Sequence, residues 1–159
     1  AQKLSRLDDA GIPVDGPPPT KESWLHLAMY RSRPQAGAVV HLHSTYSVAL
    51  SCLAGRDPND MLPPITPYVV MRVGRVALIP YGRPGDGSLG EEISRRAVDH
   101  HSILLANHGP VVAGPDLATA VAIAEELEET ARLVFVLQGH EHRVLTDAQV
   151  EELRRVFGG

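Results

Sequence analysis

With one cysteine in 159 residues, Cys52, the chain has no internal disulfide to lean on. The thiol sits in the apolar run Val48-Ala49-Leu50-Ser51-Cys52-Leu53, which predicts a buried structural residue. Aromatic residues make up 4% of the chain, and no basic run interleaves with them. Acidic residues outnumber basic ones, 19 against 15, for a formal net charge of -4 and a pI near 6.0. That balance offers nucleic acid nothing to bind. No apolar run approaches the ~20 residues of a bilayer span, and the first residues do not read as a signal peptide. CxxC, GxSxG, GxxxxGK[ST] and any Ser-His-Asp arrangement are missing too. The expectation from these absences is a cytoplasmic protein that handles small molecules, with neither nucleic acid nor membrane as a partner.

What is present is ordinary for a globular protein: 43% hydrophobic and 21% charged residues, in a length that suits one domain over 1–159. The opening stretch to Asp15 has little periodic pattern, and Gly16-Pro17-Pro18-Pro19 forces an extended connector. Thr20 reads as the N-cap of a helix that runs from Glu22 and ends before Pro34. Gly37 to His43 reads as a buried strand, and Ser44 as the cap of a helix through Leu53. Prolines leave Leu62 to Met71 open. Arg75 to Ile79 reads as a strand closed by Pro80, followed by a glycine-rich loop at 81–87. A helix from Ser88 to His100, a strand from Ser102 to Ala106 and a hairpin-like return from Pro110 to Ala113 come next. Leu117 to Gln138 is the longest helical segment, and Thr146 with Gln149 forms a capping box for a last helix reaching Phe157. Helices and short strands alternate without a clean βαβ series, which predicts one α/β domain on a mixed or antiparallel sheet.

The chemistry concentrates in histidines. His41 and His43 follow Ala38-Val39-Val40, and residues two apart in a strand share a face. His108 ends a second apolar run, Leu104-Leu105-Ala106-Asn107. Three imidazoles suit zinc, and also manganese, iron, cobalt or nickel. The competing reading is a solvated pair on an edge strand and an unrelated turn residue. Glu22 at the head of a helix is either a carboxylate favoured by the helix dipole or a fourth ligand and general base. Thr20 and Lys21 beside it are either a cap with a surface lysine or a phosphate seat. His26, His100, His101, His140 and His142 read as packing or solvated residues.

Three segments, Pro18-Pro19-Thr20-Lys21-Glu22, Val39-Val40-His41-Leu42-His43-Ser44 and Ala106-Asn107-His108-Gly109-Pro110, resemble the class II aldolase/adducin family. The resemblance extends from Pro17 to Phe157. Together with Tyr68-Val69-Val70-Met71-Arg72-Val73-Gly74, these segments are most similar to its decarboxylating branch, which acts on 3-oxo-tetronate 4-phosphates. The resemblance implies a three-layer α/β/α sandwich on a largely antiparallel sheet, a zinc ion and a homotetramer. It places the metal on His41, His43, His108 and Glu22, and gives Glu22 and Tyr68 catalytic roles. Thr20 and Lys21 fall at the phosphate. The implied reaction forms dihydroxyacetone phosphate and CO2 through a metal-stabilised enediolate. A sugar-phosphate aldolase or 4-epimerase is the alternative, and a non-catalytic adducin-like module the third. Family members carry Gly-Asn-x-Ser and Thr-Pro-Thr stretches ahead of the Thr-Lys-Glu segment. Neither occurs in this chain, so the expected domain is short of its N-terminal segment.

Overall fold

The computed structural model describes residues 4–83 and 85–157, so Pro84 of the glycine-rich loop lies outside it. The opening residues form an antiparallel pair, β1 (Arg6–Leu7) and β2 (Pro13–Asp15). A turn closes it through Asp8, whose Oδ1 accepts from the Ala10 and Ile12 amides. Sequence reading missed this ribbon because it is largely exposed and has no inward-facing alternation to show.

Helix α1 (Ser23–Ser32) starts one residue later than expected. The Thr20 hydroxyl accepts from the Glu22 amide at 3.3 Å and the Thr20 carbonyl from the Ser23 amide at 3.2 Å. Thr20 therefore shapes the approach turn, and Glu22 takes the cap position without a side-chain cap bond. The Glu22 carboxylate is left free for other partners.

Strand β3 (Ala38–His41) leads to α2 (Thr45–Ser51), and β4 (Val76–Ile79) to α3 (Gly90–Ala97). A π-helical turn at Val69–Val73 settles the ambiguous proline-rich segment, and a 3-10 turn at Gly87–Leu89 takes the place expected for the first turn of α3. Then come β5 (Ser102–Leu105), β6 (Gly109–Gly114), α4 (Leu117–Val136) and α5 (Asp147–Phe157). The capping box of α5 is present: Thr146 donates its amide to the Gln149 side chain at 2.9 Å and accepts from the Gln149 amide at 3.4 Å.

The four-stranded sheet has the order β3-β6-β5-β4. β6 is antiparallel to both neighbours and β4 is parallel to β5, giving the expected mixed, largely antiparallel sheet. It follows that β3, β5 and β4 all point their C-terminal ends at one rim. Alternation sorts the side chains into two cores. Val39, Ala77, Ile79, Ile103, Leu105, Val111 and Ala113 pack under α1 and α3. Val76, Leu104 and Val112 face α2, α4 and the π-helical turn, with Leu50, Leu127 and Ala131 among the buried partners. Helices therefore cover both faces, forming three layers.

Two local expectations are corrected. Cys52 is exposed rather than buried, and accepts from the Asn107 side-chain amide at 3.3 Å, because α2 ends at Ser51 and turns the thiol outward. Ser44 occupies the cap position of α2 but makes no side-chain cap bond. Glu128 of α4 takes that role, accepting from the Tyr46 and Ser47 amides.

A candidate metal centre at the strand rim

The rim where β3, β5 and β4 end is where ligands settle in open α/β sheets. His41 is the last residue of β3. His43 lies two residues on, in an exposed bend, so strand alternation alone does not pair the two rings. The turn between β5 and β6 carries His108. Asn107 adopts φ 58, a left-handed conformation that asparagine tolerates better than most side chains. Gly109 has φ 152, and a Cβ there would lie 2.4 Å from the Leu42 carbonyl oxygen. Only glycine lets this turn close on the Leu42–His43 bend.

These approaches bring His41, His43, His108 and Glu22 together, with one donor atom from each within 4.8 Å of the others. Glu22 Oε1 lies 3.1 Å from His108 Nε2, and Glu22 Oε2 lies 3.5 Å from His41 Nε2. The Nε2 atoms of His43 and His108 are 3.0 Å apart. Four tetrahedral ligands at 2.0–2.1 Å from zinc would stand about 3.3 Å from one another.

The donor set fits a divalent cation on a further observation. His41 Nδ1 donates to the Pro110 carbonyl at 2.8 Å, which fixes the tautomer with Nε2 unprotonated. That Nε2 is buried and has no hydrogen-bond partner among the described residues. Burial, opposed by the Pro110 carbonyl and the Glu22 charge, holds the His41 pKa below the ordinary histidine value. A neutral, oriented imidazole with an orphaned nitrogen is the form that ligates a metal.

Beside the centre, His43 and His108 line a cavity of about 540 Å³ with Thr45, Val48, Tyr81, Gly82 and Asn107. Tyr81 was missed in the sequence, where it reads as part of a turn. It directly follows Pro80 at the end of β4, so the strand delivers it to the same rim. The structure does not bring Tyr68 to this cavity. Tyr68 precedes the π-helical turn, is 55% exposed and stacks against the Arg72 guanidinium at 5.5 Å. Thr20 lines a different cavity, about 1000 Å³, between the proline connector and α1. Lys21 is exposed, and its stem packs near Gly85 of the glycine-rich loop. Glu22 and the three histidines therefore form one cluster, which Thr20, Lys21 and Tyr68 do not join.

The model of the class II aldolase and adducin N-terminal domain matches residues 1–135. The chain belongs to the class II aldolase and adducin family. A 3-oxo-tetronate 4-phosphate decarboxylase of Haemophilus influenzae is 53% identical over 152 residues, covering 96% of this chain and 72% of that protein. The crystal structure of Escherichia coli YgbL superposes with a TM-score of 0.94 at 49% identity, over 96% of this chain and 74% of that one. An L-fuculose phosphate aldolase of Methanococcus maripaludis is more distant, 37% identical over 119 residues, which are 75% of this chain and 62% of that protein.

Proposed function

We propose that this chain is a divalent-metal-dependent lyase that decarboxylates a 3-oxo-tetronate 4-phosphate to dihydroxyacetone phosphate and CO2. The observation that carries the reading is the convergence of Glu22, His41, His43 and His108, with the buried His41 Nε2 unpartnered among the described residues. Support for the substrate class is the 53% identity to the decarboxylase of Haemophilus influenzae, against 37% to the aldolase. Zinc is the metal we assign, since three imidazoles and one carboxylate suit it. When bound, the ion supplies Lewis acidity that stabilises negative charge on substrate oxygens.

The protein's own groups do the rest. As the bond between the carboxyl carbon and C2 breaks, its electron pair passes toward the C3 oxygen and leaves an enediolate. C2 must then gain a proton. Glu22 stands at the centre with one carboxylate oxygen near His41 and the other near His108, where it can hold or deliver that proton. Tyr81, on the wall of the cavity beside His43 and His108, offers a hydroxyl; Tyr68 enters this scheme only from another subunit. Thr20 and Lys21, at the head of α1, are the groups we assign to the phosphate. We further propose a single domain, a homotetramer and a cytoplasmic location. The described residues contain no helix long and apolar enough to cross a membrane.

Elemental mass spectrometry on the purified protein and a His43→Ala variant tests the reading. The expected result is about one divalent metal per chain in the parent and loss in the variant. CO2 release from 3-oxo-tetronate 4-phosphates would follow. A parent that takes up no metal even after supplementation overturns the enzyme reading and leaves the adducin-like scaffold.

A further inference from the structure

Three of the four candidate ligands are held by local structure. His41 is in a strand and its ring is fixed by the Pro110 carbonyl. His108 is set by the tight turn through Asn107 and Gly109. Glu22 is set by the turn that Thr20 closes. His43 is held less firmly: it is exposed and lies beyond the end of β3, where the β5–β6 turn packs against one side of its backbone, and it is followed by Ser44, which makes no side-chain cap bond. What fixes the backbone after it is the first turn of α2.

That turn is gripped from outside. Glu128 Oε1 accepts from the Tyr46 amide at 2.8 Å, and Glu128 Oε2 accepts from the Ser47 amide at 2.8 Å and the Ser47 hydroxyl at 2.7 Å. The amides at a helix start have no partner within the helix, and a carboxylate complements the positive end of its dipole. Using both oxygens, the carboxylate fixes the rotation of α2 as well as its position. Its own seat is rigid, since Glu128 follows fully buried Leu127 in the 20-residue helix α4.

We infer that Glu128 is a positioning residue of the metal centre, which sets the start of α2 and through it the His43 imidazole. The inference rests on the metal centre proposed above. Its physical content is that loss of the grip loosens one ligand of four, and so shows in metal affinity and ligand field as well as in stability.

Cobalt(II) is the probe. The protein is stripped with a chelator, and Co2+ affinity is measured by competition with a chromophoric chelator, with visible absorption recorded for each form. Parent, Glu128→Ala, Glu128→Gln and the control Glu125→Gln are compared, with thermal unfolding of each metal-free protein alongside. Glu128→Ala is expected to weaken Co2+ binding by about 10–100-fold and to shift the visible bands, as loss of a supporting partner does at other metal sites. Glu128→Gln, which keeps one acceptor oxygen, should fall between, and exposed Glu125→Gln should match the parent. If Glu128→Ala fails to fold, Glu128→Gln carries the comparison. A Glu128 variant that unfolds at lower temperature yet binds Co2+ with parental affinity and spectrum overturns the inference, leaving Glu128 a packing group only. A parent that binds no Co2+ overturns the metal centre itself, an outcome separate from the last.

Discussion

At the scale of single residues, the proposed function gives Glu22 two duties to separate, ligand and proton carrier. Glu22→Gln keeps the shape and one ligating oxygen but cannot exchange a proton. Turnover per bound metal should fall by about 10²–10⁴-fold, while metal content, read on the same sample, falls far less. The two tyrosines make a second comparison. Pro67-Tyr68 and Pro80-Tyr81 look alike in the sequence, and nothing local says which one faces the chemistry. The difference lies in what precedes each: Tyr81 extends β4 at the rim of the histidines, whereas Tyr68 heads a π-helical turn and rests on Arg72. Tyr81→Phe should lower kcat, and Tyr68→Phe should leave it near the parent in the same assay. The reverse result would mean that Tyr68 reaches the site from a neighbouring subunit.

At the scale of elements, the site depends on two segments meeting at close range. In Gly109→Ala the new Cβ meets the Leu42 carbonyl oxygen at a backbone angle that favours glycine. Strain of this kind costs about 1–3 kcal/mol, and each kcal/mol lowers Tm by roughly 2–4 °C in a chain of this length. The metal should be lost with it, since relief of the clash moves His108 away from His43. Differential scanning calorimetry and metal content on one preparation check both. Element α2 gives a pH dependence. Burial pushes the Glu128 carboxyl upward, but the hydrogen bonds from the Ser47 hydroxyl and the Tyr46 and Ser47 amides outweigh it and hold the pKa below the ordinary glutamate value. The folded state therefore binds this proton less readily than the unfolded chain. Its stabilisation is complete above the unfolded carboxylate pKa of about 4.3 and is lost as pH falls through the lower folded value. The Tm gap between parent and Glu128→Gln should be widest near neutrality and should close in acid.

The same elements show what could be read in the sequence. The apolar runs ahead of His41 and His108 announce the strands that lead to these candidate ligands, because β-branched and aliphatic residues in short runs leave few alternatives. The capping box at Thr146 and Gln149 is equally legible, since both partners lie within one turn. The Glu128 cap is not: its partners are 81 and 82 positions away, and no short-range pattern links them. Cys52 misled because its run is apolar on both sides, whereas exposure was decided by where α2 stopped. The head of α1 was displaced for a related reason, as Thr20 closes a turn ahead of the helix instead of capping it.

At the scale of the whole molecule, the candidate ligands come from three separate segments: the head of α1, the β3–α2 bend and the β5–β6 turn. A bound ion would tie these segments together in the folded state only. Saturating metal, at about 100 times its Kd, should add roughly 2.7 kcal/mol, a rise in Tm of roughly 5–11 °C. Chelation should reverse it. A Tm indifferent to metal and chelator would show that no ion bridges the three segments.

One property of the sheet reaches beyond the finished molecule. β3 takes its sheet hydrogen bonds from β6, and His43 meets His108 across 65 positions of chain. A polypeptide emerging from the ribosome displays the His41–His43 pair long before β6 has been made. During that interval the pair has no third imidazole, and loop closure over such a span is slow compared with local helix formation. Assembly of the candidate ligand set therefore waits for β6 to pair with β3. Cobalt colour in a refolding experiment would time the moment at which β6 zips against β3.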